Sequence, residues 1–532
     1  MEKVTFTFND HEITADKNLN VLEAVLQAGY EIPHYCFHNG LNPAGSCRLC
    51  AVEVGQYDKD GRFSMNPKLV MACKTPVKES LVVRSDTEKV RRHQKNILEF
   101  LLLNHPLDCP ICDQAGECYL QDYSYRYGNP VSRFAEKKNK QPKKNIGKNI
   151  LLHADRCILC TRCVRFVEEI SGGAELAVSK RGSGSEIDIV PGQGLNDKMA
   201  GNIVDICPVG AMLDKQFLFK QRVWFLKTAE SICPRCSRGC NIYIDHHQGV
   251  VYRLRPRFNP DVNDYWMCDD GRYGYKFIQA PERLTHSSMG RGETAQPISP
   301  ERAYNEVKNR FAPYLQVGNG SKMAAVLSPC ATCEEQWLLA QWLRSSSREV
   351  TLAMGPVFSE KDDEVFKGGF KICAEKIPNR RGAEAVIKQS GTELMKFKEL
   401  LEAVAQGRFE TLWIQGGYPW LDWWPDDSLD KLHAVKVIIL QDILKSKLSD
   451  RADVVLAGAA WTEKSGSFIN DQDQVQPFAK AINPPEQACS EAEWIWRISG
   501  RRGQFCMETI HSEMADIVRS PNTPAANTMS TT

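Results

Sequence analysis

A chain of 532 residues is long enough for roughly three or four domains, each with its own core, and its 42% hydrophobic and 25% charged residues are ordinary for a globular protein. A formal net charge of +1 excludes a global electrostatic footprint for nucleic acid or acidic membrane. No apolar stretch reaches the roughly 20 residues of a membrane helix; the best, Ile97–Leu103, is far too short, and the start, MEKVTFTFND, has no basic segment leading into an apolar run, so no secretory signal is expected.

The first predicted element is a strand over Val4–Phe8, where apolar and polar residues alternate, followed by helical periodicity over Asn20–Ala28. A largely apolar helix is expected from about 88 to 104, stopping before His105-Pro106. The basic stretch EKKNKQPKKNIGKN, Glu136–Asn149, reads as a solvated linker, or as a docking segment for an acidic partner. From about 225 onward strand-like runs (Met323–Leu327, Thr411–Gln415, Val435–Leu440, Asp453–Ala457) alternate with helical ones (Glu301–Leu315, Leu394–Val404), which predicts α/β structure with a largely parallel sheet. The tail from about residue 519, SPNTPAANTMSTT, is expected to be disordered.

Twenty cysteines without a secretory signal point to a reducing compartment, where close spacings mean metal ligation rather than disulfides. Fifteen of them fall into four groups. Cys36, Cys47, Cys50 and Cys73 form C-x10-C-x2-C-x22-C, one close pair with outliers. That suits a [2Fe–2S] cluster, with structural zinc as the alternative. Cys109, Cys112 and Cys118 cannot complete a cubane alone, and His105, four residues upstream, is the expected fourth ligand.

Cys157, Cys160 and Cys163 match the opening of the bacterial ferredoxin run C-x2-C-x2-C-x3-C-P, but Val167 stands in the fourth place. Cys207-Pro208 matches the end of a second run whose earlier places are Asp197, Ala200 and Ile203. In a two-cluster ferredoxin each run's last cysteine serves the other cluster, so these losses delete one site and keep the other: Cys157, Cys160, Cys163 and Cys207. Arg156, Arg162 and Arg165 flank it, either stabilising the reduced state or simply solvated. The fourth group, Cys233, Cys236, Cys240 and Cys268, suits another [4Fe–4S] cluster, with zinc again the alternative. Neither GSGSEI (Gly182–Ile187) nor GQGLND (Gly192–Asp197) completes a dinucleotide fingerprint.

The segments NHPLDCPICDQAGECYLQD, CILCTRCVRF, GNIVDICPVGA, CPRCSRGC and MCDDGRYGY resemble the large iron–sulfur subunit of proton-pumping NADH:quinone oxidoreductase, respiratory complex I, in its bacterial form. Beyond about residue 280, SPCATCEEQ and ADVVLAGAAWTEKSGSFIN resemble the molybdopterin oxidoreductase fold. The resemblance implies a multidomain α+β and α/β protein. Residues 1–85 would be a β-grasp [2Fe–2S] ferredoxin-like domain, and 86–135 a helical segment holding a [4Fe–4S] cluster by one histidine and three cysteines. A bacterial-ferredoxin-like [4Fe–4S] domain would occupy 148–217, and 226–282 a [4Fe–4S] domain with four cysteine ligands. A shortened molybdopterin-oxidoreductase-like α/β domain would follow over 283–518, then the tail 519–532.

It further implies one [2Fe–2S] and two to three [4Fe–4S] clusters, with iron as the metal. Electrons would come from an NADH-binding flavoprotein partner and visit the Cys36, Cys157 and His105 clusters on the way to quinone, the Cys233 cluster lying off that path. No molybdopterin is expected, because EVTLAMGPVFS has no cysteine where the molybdenum ligand would stand, and Asp269 and Asp270 replace a lysine common in formate dehydrogenases. Other peripheral-arm subunits would be partners, the membrane arm only indirectly and nucleic acid not at all. The implied location is the cytoplasmic face of the inner membrane, and no catalytic residue is expected in this chain. The alternative is a catalytic or electron-input subunit of an NAD-linked formate dehydrogenase or hydrogenase, for which Cys330, Cys333, Cys373, Cys489 and Cys506 are too scattered.

Overall fold

The computed structural model describes residues 2–57, 60–316, 319–514 and 517, so the polar tail expected from about 519 lies outside the described residues. The chain divides into two units, residues 1–226 with 366–370, and residues 227–365 with 371–532.

In the first unit, strands Lys3–Phe8 and His11–Asp16 form a hairpin whose turn residues, Asn9 and Asp10, both take positive φ. That is the turn whose twist matches the strands, and Asn and Asp tolerate it best after glycine. Val82–Arg84 pairs parallel to the first strand and antiparallel to Ala51–Tyr57. Helix Val21–Gln27 is opened by a reciprocal Asn20/Glu23 capping box and buries Val21, Leu22, Ala24 and Val25 in one core with Phe6, Phe8, Val52 and Val83. One helix packed with a mixed sheet in this order is the β-grasp arrangement.

Helix Glu88–Leu102, capped by Thr87, follows, and it ends where His105-Pro106 predicts. The stretch 136–149 departs from the expected linker. Lys138 Nζ donates to the carbonyls of Leu102 and Leu103 at 2.7 and 2.9 Å, closing that helix's C-terminus. Lys143–Asn145 is a strand paired with Ile150–His153, and Lys144 bridges Glu186 and Asp188 at 3.1 and 2.7 Å. Two charges of this run, Lys138 and Lys144, are thus used inside the fold, while Glu136, Lys137, Lys140, Lys143 and Lys148 are exposed.

Ile150–His153 also pairs with Met212–Asp214, while Leu176–Ser179 and Glu186–Ile189 make a separate hairpin. Short helices Arg162–Phe166 and Asn202–Ile206 carry the remnants of the two ferredoxin runs. Val167, Ala200 and Ile203, three of the four places from which a second cluster's cysteines are missing, are buried apolar core.

The second unit opens with an antiparallel meander, Lys227–Ile232, Asn241–His247 and Val250–Pro256, not with the parallel structure expected from 225 onward. The parallel sheet starts later. Its order is Gln296–Pro297, Ser288–Met289, Val454–Ala457, Val437–Asp442, Thr411–Gln415, Met323–Leu327 and Thr351–Met354, with the first two strands antiparallel. Alternate residues face two separate cores: Ala325, Leu327, Trp413 and Ile439 one, Ala324, Val326, Leu412 and Ile438 the other. Burial on both faces explains the continuous apolar runs of these strands. Among the described residues no helix is long and apolar enough to cross a membrane.

Candidate iron–sulfur centres

The first group is brought together by loops around the β-grasp sheet. Cys36, Cys50 and Cys73 are buried and Cys47 half-buried. Cys50 Sγ lies 3.5 Å from Cys73 Sγ, and Cys36 hydrogen-bonds to both Cys47 and Cys73. The sharing holds the thiols of Cys36 and Cys50 low and pushes those of Cys47 and Cys73 high. The Tyr35 backbone N–H points at Cys47 Sγ at 3.5 Å. Arg48, inside the close pair's loop, is held at φ 60°, a left-handed conformation that bends the loop inward.

In the third group Cys160, Cys163 and Cys207 are buried and Cys157 half-buried. Cys157, Cys160, Cys163 and Cys207 all line one small cavity, closed by Ile158, Ile187, Val209, Ala211 and Met212. Leu159 and Thr161 adopt φ of 53° and 61°, which curls the Cys157–Cys163 loop and lets the Leu159 N–H reach Cys157 Sγ at 3.4 Å. A left-handed β-branched residue is strained, and such strain is characteristic of ligand loops. Burial pushes the thiols up, to about 12 at Cys157 and about 11 at Cys160. Thiolates in this cage therefore need positive charge from metal, and loading it expels protons. Among the described residues no three His, Cys, Asp or Glu meet as ligands of a single ion would; these four cysteines share a cavity instead.

The second group sits on the loop after helix Glu88–Leu102. Cys112 and Cys118 are buried, Cys109 and His105 half-buried. Burial pushes the His105 imidazole down to about 4, with Arg156 and Lys138 adding to the effect. The ring is neutral at physiological pH, as a metal donor must be. Arg222 clamps the loop, donating to the Cys112 carbonyl at 2.8 Å and to that of Pro110.

In the fourth group all four cysteines are buried. The Cys233 N–H donates to the Cys240 carbonyl at 2.8 Å, and the Gly271 N–H to Cys268 Sγ at 3.3 Å. A side chain at Gly271 would touch both Cys233 and Cys268 sulfurs, so these two converge over this glycine. By donor chemistry all four groups suit a cluster; Cys112 lies near both Cys109 and Cys118, while His105 lines a cavity with Asn104, Asp155 and Cys157.

Sequence reasoning missed what joins the groups. Arg162, only 4% exposed, donates to the carbonyls of Ile206 and Phe37, neighbours of Cys207 and Cys36. Arg165 donates to the carbonyls of Cys36 and Asn42. On the other side, Arg156 grips Asp108 with Nε and Nη2 at 3.1 and 2.5 Å and also reaches the Gly210 carbonyl. The Tyr119 N–H donates to the Pro208 carbonyl at 3.1 Å, and a side chain at Gly210 would collide with Cys112 Sγ. These arginines are connectors between groups, not solvated charges. The signal available was three arginines in ten residues around the CxxCxxC run; their partners lie up to 129 residues away.

The molybdopterin-like fold raises a second question of fit. Doubly wound sheets bind ligands beyond the carboxyl ends of their strands. Here that edge is filled with buried side chains. Lys464 Nζ bridges Glu335 and Glu491 at 2.8 and 2.9 Å, and Arg283 pairs with Glu463 at 2.5 Å. Asp442 accepts from the Gly417 N–H and from Trp423 Nε1, both at 3.0 Å, while burial pushes its carboxyl up to about 6. A side chain at Gly416 would strike Asp442, and one at Gly458 would strike Glu491. Carboxylates, already bonded, stand where a phosphate-bearing pterin would need cations and space. These residues do not fit that group.

Five family models match stretches of the chain. Family models align to residues 1–88 (2Fe-2S iron-sulfur cluster binding domain) and 94–133 (NADH-ubiquinone oxidoreductase-G iron-sulfur binding region). Two more align to 147–213 (NADH-quinone oxidoreductase subunit 3, ferredoxin-like domain) and 226–276 (NADH-ubiquinone oxidoreductase NDSU1/NuoG-like, 4Fe-4S domain). A model for molybdopterin oxidoreductases covers 319–501. The G subunit of NADH-quinone oxidoreductase from Rickettsia felis is 36% identical over 341 residues, which is 64% of this chain and 49% of that one. The mitochondrial NADH dehydrogenase [ubiquinone] iron-sulfur protein 1 of Solanum tuberosum is 42% identical over 327 residues, 61% of this chain and 43% of that one. A chain of an NAD+-reducing [NiFe]-hydrogenase is 32% identical with a TM-score of 0.36, covering 41% of this chain and 91% of that one. The chain thus spans about half the length of the curated relatives it matches.

Proposed function

We propose, from the premise that this chain carries the iron–sulfur domains of the G subunits of NADH-quinone oxidoreductases, that it is an electron-relay component of such an enzyme. The Cys36, Cys47, Cys50, Cys73 set would hold a [2Fe–2S] cluster. The His105, Cys109, Cys112, Cys118 set, the Cys157, Cys160, Cys163, Cys207 set and the Cys233, Cys236, Cys240, Cys268 set would each hold a [4Fe–4S] cluster. Clusters bound there would supply one-electron carriers.

The observation that carries the reading is the series of arginine connectors. Arg162 and Arg165 tie the Cys157 set to the Cys36 set, and Arg156 ties it to the His105 set through Asp108. These ties support the order Cys36, Cys157, His105 for the sites of the first unit. Guanidiniums held against loop carbonyls keep the sites at fixed separation, exclude water and place positive charge beside groups that gain electrons. A flavin-bearing partner that oxidises NADH would serve the Cys36 end, and a quinone-linked neighbour the His105 end. Leu107 (85% exposed), Ile111, Phe219, Trp224 and Phe225 leave apolar surface around the His105 loop, which suits a protein neighbour. Membrane attachment, on the cytoplasmic face, would come through such partners. The Cys233 set belongs to the second unit and would lie off this path.

The test uses the complex purified through this chain. In a Cys157→Ser variant, NADH is expected to reduce the Cys36 signal but to leave the His105 signal oxidised on the turnover timescale. Undiminished reduction of the His105 signal would overturn the proposed order.

A further inference from the structure

A fifth thiol stands at the fourth centre. Cys373 is buried and follows the short strand Lys371–Ile372. Its Sγ is in hydrogen-bonding contact with Cys236 and close enough to Cys240 to act on it electrostatically. The surrounding backbone holds it there. The Ser237 N–H donates to the Glu375 carbonyl at 3.0 Å, and the Asp471 N–H to the Ser237 carbonyl at 2.8 Å. Asp471 Oδ2 lies 3.5 Å from Cys373 Sγ and is itself fixed by Lys371 Nζ at 2.5 Å. Thus the residues beside Cys236 and those beside Cys373 are bonded to each other and to one shared residue, Asp471, through its backbone N–H on one side and its carboxylate on the other. Sequence spacing gives no hint of this, since Cys373 is 105 residues beyond the last cysteine of the set, Cys268.

We propose that Cys373 is a reserve ligand of the fourth [4Fe–4S] centre, able to take over the iron that Cys236 holds. This rests on the reading that Cys233, Cys236, Cys240 and Cys268 hold a cluster. The exchange is redox-neutral. Cys373 would replace Cys236 as the thiolate donor to one iron, and its proton would pass to the released Cys236 sulfur along the contact already present. Iron keeps four thiolate donors, and the charge of the centre does not change.

The experiment measures iron, labile sulfide and EPR of the anaerobically purified full chain, in which all four sets filled give about 14 iron atoms. Cys236→Ala is expected to keep that iron and a reduced [4Fe–4S] signal with shifted line shape. Cys233→Ala, and Cys236→Ala combined with Cys373→Ala, are expected to lose up to about four irons or to show an oxidised three-iron signal. Cys373→Ala alone should keep the cluster. If Cys236→Ala does not accumulate, Cys236→Gly carries the same comparison with and without Cys373→Ala. Loss of the cluster in the single Cys236 variant, or its retention in the double variant, overturns the reserve-ligand role. A wild-type chain lacking the fourth set's iron would instead overturn the cluster assignment beneath it.

Discussion

In a His105→Ala variant, iron is expected to fall by up to about four atoms per chain and one EPR signal to disappear, while the Cys36 signal persists. The structure gives the reason for both halves. His105 sits just past helix Glu88–Leu102, on a loop that Arg222 and Arg156 hold from two sides through Cys112, Pro110 and Asp108. Only three cysteines share this loop, so removing the imidazole leaves a cubane one donor short. The Cys36 set is built on the β-grasp loops and draws no ligand from this segment. His105→Cys should keep the iron and lower the reduction potential, because a thiolate stabilises the oxidised state more than a neutral imidazole does. Unchanged iron and an unchanged spectrum in His105→Ala would remove the histidine from the ligand set.

Lys464→Met is expected to destabilise the second unit by about 3–5 kcal/mol, the effect of leaving a buried ionic network without its cation. Lys464 is almost fully enclosed between Glu335 and Glu491. Burial favours neutral Glu335, yet Lys464 outweighs it and holds that carboxyl below its ordinary range. Burial and the neighbouring Glu335 push Glu491 well above its own. Without the ammonium both carboxyls would be raised in the folded state. Raised acids give stability that is present below their unfolded values and lost as pH rises through the folded ones. The deficit in Lys464→Met should therefore grow from about pH 4.3 upward. Adding Glu335→Gln and Glu491→Gln should recover most of it. Denaturant unfolding followed by fluorescence of the buried Trp413 and Trp423 measures this. A deficit independent of pH, or no recovery in the triple variant, would contradict the network.

How much was legible depended on whether the signal was local. The CxxCxxC loop, the His105 position and the helix before it are set by residues within a few turns of one another, so spacing revealed them. The connectors Arg162 and Arg165 find their partners at Phe37 and Cys36, which no local pattern announces. The parallel strand expected over Val435–Leu440 runs to Asp442, because Gln441 and Asp442 are polar yet buried. Their side chains accept from Trp413 and Trp423. Hydropathy ends a strand where hydrogen bonding continues it. The helix expected over Glu301–Leu315 stops at Phe311, two residues before Pro313. Lys144, read as part of a solvated charge run, is bound to Glu186 and Asp188, a pairing visible only in the folded chain.

Anaerobic purification of the full chain, followed by iron and sulfide analysis and dithionite-reduced EPR, tests the central claim most directly. A brown protein with about 14 irons and matching sulfide, bleaching on reduction to give distinct two-iron and four-iron signals, is the predicted result. A colourless protein carrying stoichiometric zinc, with no change under dithionite, would contradict it.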